Sequence, residues 1–432
     1  MNRSDPRAGS RITPGGALDG ALWALVAAFG AYFCMYAFRR PFTAASFAGE
    51  YAGFGYKSLL VTAQVLGYAT SKFIGIRVVA ETPWNRRVGR FLTLIAAAEG
   101  ALVLFAMLPR PWNALALFLN GLSLGMVFGM VLGFLEGRRV TEALSAGLCA
   151  SFILADGVTK SVGFWLLQQG VSEMWMPAVA GLLFLAPLCG FAAMLSRIAP
   201  PSVADRQARS IRTTMDASER RAFLSRYAVG LGALVMMYLL ITILRSFRAD
   251  FQPELFRELG LTVTAKLFAR TELVVMLGVL VVNGLAATVH DNRKAFQASL
   301  CTCAAGLLCV ALALTGWRLE WFDGVAFMIL IGLGVYFPYV AVHTTVFERL
   351  LAMTRERGNL GFLMYVADAV GYLGYAAVML LRSAAPANGA LQIFVWLCVA
   401  CVALSAVALG VAWRFFTVRA TVASNLLVEE SA

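Results

Sequence analysis

Charge and histidine are scarce in this chain, and that scarcity is the first constraint on it. Only 14% of its 432 residues are Asp, Glu, Lys or Arg, and only two are histidines. So little charge argues against an ordinary soluble domain, and two histidines leave no His-based metal cluster. The sequence contains no Walker loop, no dinucleotide fingerprint and no nucleophile–base constellation. The expectation is no cofactor, no metal and no enzyme activity. Acidic residues are fewer than basic ones, and the net charge is +12. In a soluble protein that balance would suggest nucleic acid. Here the arginines fall in loops that alternate along the chain, as cytoplasmic loops do, so no nucleic-acid partner is expected.

What is plentiful is apolar surface. Hydrophobic residues make up 60% of the chain, and runs of about 20 of them, enough to span a hydrocarbon core, recur along its length. The pattern predicts an all-α polytopic membrane protein in the lipid bilayer. Twelve spans are expected, at 21–44, 57–79, 91–108, 113–135, 144–168, 174–196, 227–249, 263–289, 296–316, 322–346, 358–382 and 390–416. Residues 1–19 are polar, and the apolar run behind them is too long for a signal-peptide core. Arg77, Arg86, Arg87, Arg90, Arg138, Arg139, Arg293, Lys294, Arg349, Arg355 and Arg357 mark every second loop. That asymmetry puts both termini in the cytoplasm.

The spans divide into two bundles of six, 21–196 and 227–416, between tails at 1–20 and 417–432. A basic linker, 197–226, joins them, and its Asp216-Ala-Ser-Glu219 could cap a short surface helix. Two pseudo-symmetric bundles joined this way match a major facilitator arrangement, with a ligand held between them near mid-membrane. A monomer suffices. All eight cysteines sit in apolar segments. Cys398-x-x-Cys401 and Cys301-x-Cys303 have redox or metal spacings, but small buried hydrophobes are the favoured reading.

Polar residues inside the spans carry the functional signal, because an intramembrane charge is costly and usually faces a cavity. Tyr32, Tyr36 and Arg39 fall at i, i+4 and i+7 of the first span, and Arg245 occupies a similar place in the seventh. Arginine binds phosphate through a planar fork, so one arginine from each bundle would suit a shared anion. The competing reading is snorkelling. At about 1.5 Å per residue Arg245 lies roughly 27 Å from the inner end of its span. Tyr68 and Lys72 are one turn apart in span 2, and Lys72 has either an anion or a carboxylate from another span to meet. Asp156 and Lys160 are one turn apart in span 5, as a self-neutralising pair or with Asp156 holding Lys160 for a substrate. His343 follows Tyr336 and Tyr339 in span 10. Asp368 lies between Tyr365 and Tyr372 in span 11. Asp156, His343 and Asp368 are candidates for a proton or coupling site.

At these residues the chain resembles the organophosphate:phosphate antiporter family of the major facilitator superfamily. The likeness rests on Tyr32-x3-Tyr36-x2-Arg39-Arg40-x-Phe42 and on Tyr68-x2-Ser71-Lys72-Phe73-Ile74. Arg245-x4-Asp250-x2-Pro253, Tyr336-Phe-Pro338 with Glu348, and Gly371-Tyr372-Leu-Gly374 add to it. It implies that Arg39 and Arg245 bind phosphate, with Lys72, Tyr32, Tyr36, Tyr68 and Tyr372 in support. Lys160 stands where the family has a histidine, Thr242 where it has a tyrosine, and the Gly-x3-Asp-Arg signature of the 2–3 loop is absent. The function implied is transport of a small phosphorylated or related organic anion across a bacterial inner membrane, with inorganic phosphate as counter-substrate. Two other readings remain open: a proton-coupled transporter of another solute, and a non-transporting membrane sensor of the same fold.

Overall fold

A computed structural model describes residues 17–51, 53–135, 141–199, 217–289, 291–354, 360–383 and 389–429. Arg138, Arg139, Arg355, Arg357, N-terminal residues 1–16 and linker residues 200–216 lie outside the described residues.

Twelve membrane-length segments follow one another as the apolar runs predict. They are α1 (Ala17–Met35), α2 (Tyr56–Ala80), α3 (Arg87–Met107), α4 (Asn113–Leu124, continued by Val127–Leu135), α5 (Thr141–Gln168) and α6 (Met176–Ser196). The second half has α7 (Ala228–Asp250), α8 (Ala265–Ala287), α9 (Asn292–Arg318), α10 (Gly324–Ala341), α11 (Leu360–Ser383) and α12 (Ala390–Glu429). Ten of the described segments are long and apolar enough to cross a membrane. The other two, α2 and α8, bury Lys57 and Lys72 or Glu272. A short helix, Ala217–Arg226, precedes α7, at the place where the linker sequence suggests one. The helix α12 runs on past the expected boundary at 416. All eight thiols are free, five of them buried.

The halves meet along two helix pairs, α2 against α11 and α5 against α8. A two-fold exchange of the bundles turns one pair into the other, as expected of repeated halves. Small residues let the backbones approach. A Cβ at Gly157 of α5 would lie 2.5 Å from the Phe268 carbonyl oxygen of α8. Within the first bundle, a Cβ at Gly67 would fall 2.0 Å from the Phe118 carbonyl oxygen. Close backbone contact of this kind is how helices gain packing energy where lipid removes the hydrophobic drive.

Two local departures shape the centre. The first span is not one helix to residue 44: α1 ends at Met35, and the chain continues through 3-10 turns at Tyr36–Phe38 and Pro41–Ala44. Pro41 has no N–H to continue an α-helix. Arg39 and Arg40 sit between the turns, both backbone N–H groups donating to the Tyr36 carbonyl at 3.0 and 2.9 Å. Tyr32, Tyr36 and Arg39 therefore do not share a continuous α-helical face. In α10 the ladder widens after Pro338 into a π turn, Val342–Val346, which carries His343. Such turns concentrate at functional sites.

Candidate functional site

The 3-10 turn after α1 aims Arg39 across the bundle interface. Its guanidinium carbon stacks 3.9 Å from the Tyr68 ring centre and lies 5.8 Å from that of Tyr372. From the other bundle, α7 supplies Arg245. Its Nη2 donates to the Tyr372 hydroxyl at 3.2 Å, and its guanidinium carbon sits 4.3 Å from the Tyr339 ring centre. Arg39 is 4% exposed and Arg245 2%, so neither snorkels to the surface. Among the described residues no carboxylate lies within 4.0 Å of either guanidinium. The Nε of each has no hydrogen-bond partner. Ring faces and one phenol thus surround two positive charges without neutralising them.

Beside them is a small cavity of about 10 Å³, room for about one water. Tyr32, Tyr36, Tyr68 and Tyr372 line it with Tyr339, Phe128 and Phe152. Lys72, His343 and Asp368 complete the wall. Lys72 is ion-paired across the interface with Asp368 at 2.7 Å, one of the two partners its sequence context allows. Asp368 also accepts from the Tyr238 hydroxyl and has His343 Nε2 at 3.5 Å. Lys72 and Asp368 cancel, and the two arginines leave the chamber with an excess of positive charge.

Lys160 and Asp156 lie in a second cluster. Lys160 Nζ donates to Asp156 at 2.5 Å and to Gln252 Oε1 at 3.0 Å. Arg40 Nε is 3.0 Å from the other Asp156 oxygen, near enough to pair though not aligned as a hydrogen bond. Arg40 also donates to Asp250, whose second oxygen accepts from Tyr375 at 2.8 Å. Gln252 passes the chain to Glu272 at 3.0 Å, and Glu272 pairs with Arg248 at 2.8 Å. Three cations face three carboxylates, so this cluster balances itself and ties the bundles together. At the same end Lys57 pairs with Glu254 at 2.6 Å.

The Asp156–Lys160 spacing announces only one link of that cluster. Local spacing assigns no role to Arg40, Gln252, Glu272 or Tyr238. A polar residue inside an apolar run was the available signal for each. Its partner is far away in the chain, 210 positions for Arg40 and Asp250, and no local spacing reports it.

Residues 41–419 match the family described as "Family of unknown function (DUF5690)". The chain belongs to DUF5690. No curated protein matches its sequence. Among solved structures, this DUF5690 protein is similar to a D-xylose-proton symporter. They share 12% identity over 93% of this chain and 98% of that one, with a TM-score of 0.61. It is also similar to the major facilitator superfamily proton:xylose symporter bound to 6-bromo-6-deoxy-D-glucose. That match has 14% identity over 93% and 96% of the two chains and a TM-score of 0.64. This DUF5690 chain thus has the twelve-helix major facilitator fold and is a multi-pass membrane protein.

Proposed function

We propose that this protein is a secondary transporter for a small organic anion, moved by alternating access of the two bundles. The observation that carries the reading is the pair Arg39 and Arg245, buried, uncompensated by any described carboxylate, and both in contact with Tyr372. Buried charge without a counter-ion is costly, and an anion between the bundles would supply one. Two planar forks suit the oxygens of a phosphate or phosphorylated solute. Tyr32, Tyr36 and Tyr68 offer further neutral donors. Lys72 and Lys160, each paired here with an aspartate, would act by shaping the field rather than by direct contact.

An empty site with two such charges would reorient less readily than a filled one, which favours exchange against inorganic phosphate. The location that goes with this reading is a bacterial inner membrane, with both termini cytoplasmic and a monomer as the working unit.

The test is uptake of labelled phosphate by liposomes carrying the purified protein. Uptake that needs internal phosphate and is lost in Arg39→Ala supports the exchanger. Folded protein that neither binds nor exchanges phosphate overturns it. A proton-coupled transporter of another solute is the second reading, and the cluster of Lys72, His343 and Tyr238 around Asp368 is what favours it. Uptake that follows the pH gradient and needs no counter-anion selects that reading.

A further inference from the structure

One buried carboxyl takes no part in either cluster. Glu99 lies near the middle of α3, is 9% exposed, and neither of its oxygens has a hydrogen-bond partner. It faces Gly181 of α6: a Cβ there would fall 2.2 Å from Glu99 Oε2 and 3.0 Å from the Phe38 ring. The carboxyl is therefore packed into a gap that only glycine leaves, against the turn that carries Arg39.

Among the described residues, the elements around it bring no cation into an ion pair with the carboxyl. The α4 segment, Asn113–Leu135, has no titratable residue, and α6 contributes only Cys189, which is exposed. The Tyr36–Phe38 turn brings Tyr36, and the Trp84–Arg86 turn brings Arg86 at the far end of α3. On α3 itself Arg87 and Arg90 are at that same far end, where they bond to the Gly133 carbonyl and to Thr82. No described residue pairs with Glu99, and an ionised carboxylate so placed in a hydrocarbon slab would lack a described counter-ion.

The same spot is wired to Arg39. Asn120 Nδ2 donates both to the Ala98 carbonyl, next to Glu99, at 3.1 Å and to the Phe38 carbonyl, next to Arg39, at 2.9 Å. Gln64 closes the loop, donating to Asn120 Oδ1 at 2.9 Å and to the Arg39 carbonyl at 3.2 Å. Two amide side chains thus join the Arg39 turn to the backbone beside Glu99.

We propose that Glu99 is a proton-binding site, holding its proton while the bundles are closed and releasing it when movement of the Arg39 turn admits water. The proton site stands on its own geometry. Its link to anion binding rests on the function proposed above.

Dicyclohexylcarbodiimide tests both parts. A protonated carboxyl in an apolar site adds its O–H across one N=C bond. The proton goes to nitrogen, the carboxyl oxygen bonds to carbon, and the whole reagent mass stays on the residue. Peptide mass spectrometry of the full-length protein should find the adduct on Glu99 and not on the ion-paired Asp156, Asp250 or Asp368. Labelling should fall about tenfold per pH unit once the carboxyl ionises. Folded protein unlabelled at Glu99 at every pH overturns the proton site, and this arm needs no variant. Sulfate, whose charge is constant over this range, should change the labelling rate several-fold in the wild type and not in Arg39→Gln. Equal rates with and without sulfate, in protein that binds sulfate, overturn the link alone. Labelling in a protein that binds neither sulfate nor phosphate upholds the proton site and removes the anion reading.

Discussion

Arg245 donates to the hydroxyl of Tyr372 at 3.2 Å, while Arg39, from the opposite bundle, lies 5.8 Å from the centre of the same ring. One phenol therefore stands between two cations that belong to different halves of the chain. Any ligand that draws the guanidiniums together must work against or around that hydroxyl.

Tyr372→Phe keeps the ring beside Arg39 and removes the acceptor for Arg245. We expect the fold to be retained and phosphate binding to change by about 1.5–3 kcal/mol, the range for one hydrogen bond to a charged group. Titration calorimetry on purified protein reads this directly. Unchanged affinity would mean that Tyr372 is packing only.

Arg39→Lys and Arg245→Lys keep a positive charge and lose the fork. Each should weaken phosphate binding at least tenfold while leaving the thermal midpoint within a few degrees of wild type. Wild-type exchange by both variants would remove the paired-arginine site.

Lys72→Ala leaves the buried Asp368 without its lysine, and breaking a buried pair costs about 3–5 kcal/mol. The double variant Lys72→Ala/Asp368→Asn removes both charges and should recover much of that loss. Thermal unfolding of the wild type, both singles and the double gives the coupling. Additive losses would show that the 2.7 Å pair does not stabilise the closed interface.

Arg40→Gln should open the α1–α2 end of the interface, because Asp156 and Asp250 then repel across the bundles. Asp250→Asn in the same background should restore closure. A cysteine at Tyr375, whose hydroxyl donates to Asp250, should react faster with a polar maleimide in Arg40→Gln and at the wild-type rate in the double variant. The same rate in all three would show that the cluster does not hold this end shut.

Gly157→Leu would push side-chain carbon into the Phe268 carbonyl, 2.5 Å from where a Cβ would stand. Overpacking there should cost about 1–3 kcal/mol and splay α5 from α8. An unchanged thermal midpoint and unchanged exchange would show that the close approach is dispensable.

Much of the architecture was legible in the chain. Twelve apolar runs give twelve helices, since lipid leaves backbone polar groups only helical partners or a closed barrel. Six of these segments precede Ala199 and six follow Ala217. The same reasoning failed at residues 36–44, where Pro41 replaces an expected helix with two 3-10 turns. At the site, the sequence flagged Arg39, Arg245, Lys72, Asp368 and Tyr372 because each interrupts an apolar run. It could not say that Lys72 meets Asp368 or that Arg40 meets Asp250 and Asp156.

The amino-acid sequence by itself determined the solvent, the number of spans and the set of intramembrane charges, because hydropathy and charge cost act residue by residue. Only the tertiary structure decided which charges cancel. Ion pairing depends on a few ångströms between side chains whose helices are brought together by packing, and that packing leaves Arg39 and Arg245 without a described carboxylate while neutralising Lys72, Lys160, Arg40 and Arg248.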